Sequence, residues 1–314
     1  MSVDYALYYR RNIKPEAIGL SVDSFDVFIS AYNSSDRVVD VFTGIRSARK
    51  VWMVHPEYNY SRDEWPAGEV VAPTGISERE QVNSLVNALG ELAPGVSIGI
   101  DITGFMRNVL IFLVAKLESL GVKSFVAIYT EPSAYTRQEN TRFSTTTTGR
   151  VKTVEGLGSS MDYRKDAVIL GVGYDHELVG QVMTARKGAV VRPLFSFPSL
   201  SPDMYQQSAI RASMSGDKAL SDDWVTNRKF APANDPFVTA AVISEMVANL
   251  DSLDRYNIYL SPLATKVQAL GSIVYWLLEG RFRGSCAILL PECSSYARET
   301  SIGTKRVWAF TVEL

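Results

Sequence analysis

The residues whose types and spacing could do chemistry cluster in one stretch, Val96 to Arg137, and above all in I-D-I-T-G-F-M-R, Ile100 to Arg107. An apolar run ends in Asp101, Thr103 and Gly104, and a helix-period segment begins near Met106 with Arg107 at its start. A strand that ends in hydroxyl and glycine residues and turns at once into a helix presents free N–H groups and a partial positive charge. In a parallel sheet such an end opens into a crevice, which can hold a phosphate or a nucleotide. In this reading Arg107 neutralises phosphate charge and Thr103 donates a hydrogen bond.

A second set lies further along. Ser34 and Ser35 follow an apolar run from Ser24 to Ala31, while Gly171, Gly173 and His176 follow another from Asp166. S-P-L-A-T-K, Ser261 to Lys266, ends a second apolar strand ahead of a helix, with Ser261 as donor and Lys266, after Thr265, as the basic residue. No catalytic residue is assigned, because His176 stands alone and nothing supplies an obvious general base. The two cysteines, Cys286 and Cys293, and the two histidines, His55 and His176, show no metal-ligand spacing. Neither a metal nor a cofactor is expected.

These residues must be positioned by regular elements. The spacing predicts strands at Ser24 to Ala31, Val51 to Pro56, Ile98 to Ile102 and Ser124 to Tyr129, and an edge strand at Tyr5 to Tyr9. Helices are expected from Arg37 to Ile45, with Ser34, Ser35 or Asp36 as N-cap, from Ser77 to Leu92 with a Ser77/Glu80 capping box, and from Met106 to Leu120. Arg142 to Gly156 reads as a hairpin around Gly149, with Arg137, Arg142, Arg150 and Lys152 facing solvent. The order then starts again. D-A-V-I-L-G-V-G lies without gaps on D-V-F-I-S-A-Y-N, so that Asp166 meets Asp26 and Ile169 meets Ile29. Ala189 to Phe197, a helix from Pro236 capped by Asp235, Asn257 to Ser261 and Val267 to Glu279 follow in the same sequence of types, with an insert at 199–233 holding one helix. E-P-S-A-Y-T-R from Glu131 and E-C-S-S-Y-A-R from Glu292 share Glu, Ser, Tyr and Arg at identical spacing. Internal duplication follows. The fold class is α/β, two tandem Rossmann-like parallel-sheet units in a pseudo-two-fold molecule, divided as 1–138, a hairpin linker 139–165, and 166–314.

Composition narrows the function classes. A net charge of −2 over 314 residues excludes a general nucleic-acid coat, and 46% hydrophobic with 21% charged residues is the balance of a water-soluble globular chain. No apolar run is long enough for a membrane span, and the N-terminus lacks the form of a signal peptide, which places the protein in the cytoplasm.

The string Ile100 to Arg107 resembles the D-x-T-G-G-T-K signature of CARF domains, Rossmann-like sensors of cyclic oligoadenylates in prokaryotic immunity. The tandem layout resembles SAVED domains, which are fused pairs of such units. Asp101, Thr103, Gly104 and Arg107 keep the pattern, whereas Phe105 and Met106 depart from it, and the second copy keeps only Thr265 and Lys266. The resemblance implies a non-catalytic nucleotide-sensing subunit of an antiviral system that acts through a partner effector. It places the other contact loops at 32–37 and 173–177. A ring-nuclease enzyme, or a two-lobed scaffold with contact surfaces at 58–65 and 199–233, are the alternatives. F-D-V-F-I-S from Phe25 also resembles the opening strand of TIR domains, but no string matches their catalytic glutamate.

Overall fold

Strands and helices follow one another through the first half of the chain, and a similar order of elements runs again after residue 160. The computed structural model describes residues 3–135, 144–202, 204–213, 222–298 and 301–314. Arg137 and Arg142 lie outside the described residues.

The chain divides into two compact units, one of Tyr8–Thr146 with Cys293–Leu314 and the other of Met1–Leu7 with Thr147–Glu292. The first unit holds strands β1 (Arg10–Ile13), β2 (Phe25–Ala31), β3 (Ser47–Met53), β4 (Glu69–Val71), β5 (Ile98–Asp101) and β6 (Ser124–Tyr135), with helices α1 (Ile18–Ser21), α2 (Asp36–Gly44), α3 (Glu78–Leu89) and α4 (Arg107–Ser119). In the second lie β8 (Lys165–Val172), β9 (Val190–Ser196), β10 (Lys229–Ala231) and β11 (Tyr256–Pro262). Its helices are α5 (His176–Ala185), α6 (Met204–Ser213), α7 (Asp222–Asn227), α8 (Pro236–Asp251), α9 (Lys266–Tyr275) and the short α10 (Arg281–Arg283). Two strands, β7 (Ser144–Thr153) and β12 (Cys286–Tyr296), run across the unit boundary, and β13 (Ser301–Glu313) returns to the first unit.

The architecture is α/β, with two sheets of mostly parallel strands. One runs β1-β13-β6-β5-β2-β3-β4 and the other β10-β9-β8-β11-β12-β7. The order β4-β3-β2-β5-β6 thus recurs as β10-β9-β8-β11-β12. In each sheet the direction of strand addition reverses between the first and fourth of these strands in chain order. β2 lies in parallel register with β5, Ser30 opposite Asp101, and β8 with β11, Leu170 opposite Ser261.

Each sheet is completed by a strand from the other half of the chain. β13 pairs antiparallel with β6 from Ser301 opposite Tyr135 to Glu313 opposite Ser124. β1 pairs on its other side, Arg10 opposite Phe310. Strand β7 borders β12, where Val154 N–H donates to Ile288 O at 2.8 Å and Thr148 Oγ1 to Glu292 Oε2 at 2.8 Å. The C-terminal strand therefore belongs with residues 8–146, not with the second repeat as the division at 166–314 had it. The reason is its apolar face: Val307, Phe310 and Val312 are buried in the first unit's core.

Other local expectations also change. Residues Ser144–Thr153 form one continuous strand with Gly149 at φ 75° inside it, not a hairpin. Tyr5–Leu7 is a 3-10 helix whose Tyr5 hydroxyl donates to Glu279 at 2.7 Å within the second unit. Ser77 makes no side-chain cap bond, and Glu80 accepts from Gly75 N–H instead. The insert carries α7 and β10 in addition to α6. No helix among the described residues is long and apolar enough to cross a membrane.

Phe310 is fully buried between β1 and β6. Phe310→Ala should lower unfolding free energy by about 3–5 kcal/mol, the cost of truncating a buried aromatic, read as a lower urea midpoint. A midpoint unchanged from wild type would show that β13 is not part of the core.

Candidate functional site

In the first unit the reversal of strand order falls between β2 and β5. The loop 32–35 leads from β2 into α2, and the turn 102–106 leads from β5 into α4. Open parallel sheets bind ligands in the crevice outside the strand ends at such a point. The fold brings Ser34 and Ser35 together with Asp101, Thr103, Gly104 and Arg107 there.

Asp101 ends β5 fully buried. Its carboxylate accepts from Ser30 Oγ at 2.9 Å and from Thr103 N–H at 3.0 Å, and Thr103 Oγ1 accepts from Thr130 N–H at 3.1 Å. Burial raises its pKa to about 6, while the bonds from Thr103 and Ser30 and the charge of Arg37 pull the other way. The acid therefore fastens the turn to β2 and β6 and does not face a ligand.

Gly104 is required by packing. A Cβ there would sit 2.1 Å from Ala31 O, and the Tyr58 hydroxyl closes the other side by donating to Gly104 O at 3.0 Å. Phe105, next in the turn, is wholly buried, its ring edge-on to His55 at 5.4 Å. Met106 N–H donates to His55 Nε2 at 3.2 Å, His55 Nδ1 lies 2.6 Å from Gln81 Oε1, and Gln81 Nε2 donates to Glu57 at 3.1 Å. An acceptor at Nε2 requires the neutral ring with its proton on Nδ1, so a buried polar chain fixes the start of α4. His55, Glu57 and Gln81 are scattered through the sequence and carry no motif that joins them.

The cations of this crevice stand at helix starts. Arg107 is the first residue of α4 and its Nη1 donates to the Tyr296 hydroxyl at 3.0 Å. Arg37, in the first turn of α2, donates from Nη1 to Thr130 O at 2.9 Å, while its buried Nε has no partner. Ser35 is the N-cap of α2, with no side-chain cap bond; its N–H donates to Asn33 Oδ1 at 3.0 Å. Ser34 N–H donates to the Tyr60 hydroxyl at 3.1 Å. The sequence motif around Tyr296 and Arg298 thus serves the first unit, although it follows the second repeat. Of its acidic residues, Glu131 accepts from Trp308 Nε1 at 2.7 Å and Glu292 pairs with Lys152.

The second unit has the same reversal between β8 and β11. It gathers Gly171, Gly173 and His176 with Ser261, Thr265 and Lys266. A Cβ at Gly173 would lie 2.3 Å from Leu263 O and one at Gly171 3.1 Å from Pro262 Cα, so these glycines too are spent on chain approach. Thr265 caps α9, accepting from Gln268 N–H at 3.1 Å and donating to Ala233 O at 2.7 Å. Ser261 is 1% exposed, and its Oγ has no hydrogen-bond partner. His176 is the first residue of α5, behind the N-cap Asp175. Lys266 is the first residue of α9, the position Arg107 holds in α4. The turn before it is one residue shorter, counted from the paired strand positions Asp101 and Ser261.

Among the described residues no group of three or more His, Cys, Asp or Glu could hold a metal ion. Comparison with protein-family models, with curated proteins and with solved structures finds no match.

Asp101 binds its proton more tightly folded than unfolded, because burial raises its pKa to about 6. Its contribution to stability is therefore largest below pH 4 and is lost as pH rises through 6. Asp101→Asn should remove this dependence, so that wild type loses roughly 2–3 kcal/mol between pH 4 and pH 7 that the variant does not. Urea unfolding of both proteins at the two pH values measures it; parallel pH profiles would disprove the buried, raised carboxyl.

Proposed function

We propose that the chain is a non-catalytic nucleotide-sensing subunit, built from two Rossmann-like units by internal duplication and similar in plan to CARF and SAVED sensors. Its ligand is an anionic nucleotide, in the first instance a cyclic oligonucleotide. Binding is reported to a partner effector of an antiviral system.

The observation that carries this reading is the charge at two helix starts. Helices prefer acids in the first turn and bases in the last. Three helices carry an acid there, α2 with Asp36, α3 with Glu78 and Glu80, and α5 with Glu177, although α2 and α3 also hold Arg37 and Arg79 in that turn. Helix α8 has Asp235 as its cap. The helices that follow β5 and β11, α4 and α9, have no acid in the first turn and begin with Arg107 and Lys266; among the other described helices the three-residue α10 also opens on a base, Arg281. A base there works against the helix dipole, and a bound anion would offset that cost. That both units place it at the same point favours a phosphate-bearing ligand, with the loops at Ser34–Ser35 and Gly173–His176 beside it.

Isothermal titration against cyclic di-, tri- and tetranucleotides tests the reading. At least one should bind, and Arg107→Gln or Lys266→Gln should weaken it at least tenfold and flatten its salt dependence, as expected when a phosphate contact is lost. Flat titrations across the whole panel would remove the hypothesis.

A further inference from the structure

We infer that Arg298 is a stacking plate for a purine base beside the first unit's crevice, a reading that rests on the nucleotide-sensing function proposed above. The guanidinium is held on three edges. Nε donates to Tyr58 O at 2.7 Å, Nη1 to Glu64 Oε1 at 2.7 Å and Nη2 to Asn59 O. One face lies over the Tyr60 ring, with Cζ 4.3 Å from its centroid. Tyr60 in turn packs on Tyr32 with centroids 5.0 Å apart.

This arrangement decides what the side chain can recognise. A phosphate is gripped by paired N–H bonds on one edge of a guanidinium, and here three of the five N–H donors are already given to protein acceptors. Yet 36% of the side chain remains exposed. With three bonds holding the plane and one face on Tyr60, the guanidinium is fixed, and its opposite face is the flat, cationic surface on which a ligand could lie. A flat π-system is the ligand chemistry that matches it, since bases stack on arginine planes as they do on aromatic rings.

The plate is also in the right place. Asn33 Nδ2 donates to Arg298 O, and the Tyr60 hydroxyl donates to Ser34 Oγ at 3.2 Å. Both tie it to the loop that enters α2, whose first turn carries Arg37. The division of labour is then that Arg298 holds the base while Arg37 and Arg107 face the phosphates. Glu64 reinforces the plate: hydrogen bonds from Ser61, and then the charge of Arg298, hold its carboxyl below the usual range, so it stays ionised beside the guanidinium.

The test separates base from phosphate. On the unmodified protein, cyclic di-adenylate should bind at least fivefold more tightly than cyclic di-uridylate, which has the same two phosphates and smaller rings; equal affinities overturn the inference. Arg298→Lys keeps the charge and loses the plane. It should weaken cyclic di-adenylate about tenfold and leave competition by inorganic pyrophosphate and the salt slope unchanged, with thermal melting as the check that the variant is folded. Equal losses for pyrophosphate and nucleotide would make Arg298 a charge contact and sink the stacking role. Pyrophosphate binding without nucleotide binding sinks the plate but keeps an anion crevice, whereas binding of neither removes both.

Discussion

The first crevice depends on one close approach, that of the turn after β5 to the last residue of β2. At Gly104 the two backbones come so near that a Cβ would stand 2.1 Å from Ala31 O. Such a contact tolerates no side chain, and it fixes where everything downstream can go. Because the turn is pinned there, Met106 N–H meets His55, α4 starts at Arg107, and Arg107 reaches Tyr296. The second unit meets the same constraint from the other side. There the glycine sits on the loop after β8, where Gly173 faces Leu263 O in the turn after β11. The two sheets thus meet one steric problem with a glycine on opposite sides of the contact.

Charge in this region is sorted by depth. The acid, Asp101, is wholly buried and uses its oxygens on Ser30 and Thr103, so that it organises backbone. Arg37 and Arg107 lie partly exposed at helix starts above it. The ligand proposed above would meet the cations first, with the turn lying between it and the carboxylate. The raised pKa of Asp101, near 6 through desolvation, further reduces the repulsion that a fully ionised acid would exert.

Much of this was legible in the residues. The strands β2, β3, β5, β8, β9 and β11 and the helices α2, α4, α5, α8 and α9 follow from apolar periodicity, and their order repeats because the sequence pattern repeats. What could not be read is long-range. Arg298 joins Tyr58 and Glu64 across more than 230 residues, and the chain from His55 through Gln81 to Glu57 depends on α3 lying against α4. Gly104 misled for a related reason. A glycine after a strand serves a phosphate or a neighbouring backbone equally well, and only the position of Ala31 tells which.

The exchange of last strands has a compositional cause. A chain leaving β6 could fold back at once, with β7 pairing beside it as a local hairpin, and loop entropy favours that choice only weakly because closure cost grows slowly with length. Position in the sheet decides instead. The place next to β6 is interior, flanked on its far side by β1, and needs a strand with an apolar face. S-T-T-T-T-G-R-V-K-T offers hydroxyls, a glycine and two bases, while V-W-A-F-T-V in β13 offers Val307, Phe310 and Val312 to the core. The place next to β12 is an edge, where exposed threonines and the bases Arg150 and Lys152 discourage pairing with other chains. Each strand thus goes where its side chains can be solvated or buried. The exchange pairs β6 with residues 301–313, a contact between segments far apart in the chain. It also delivers Tyr296 and Arg298, at the end of β12, to the crevice of the unit whose own first residues were made long before.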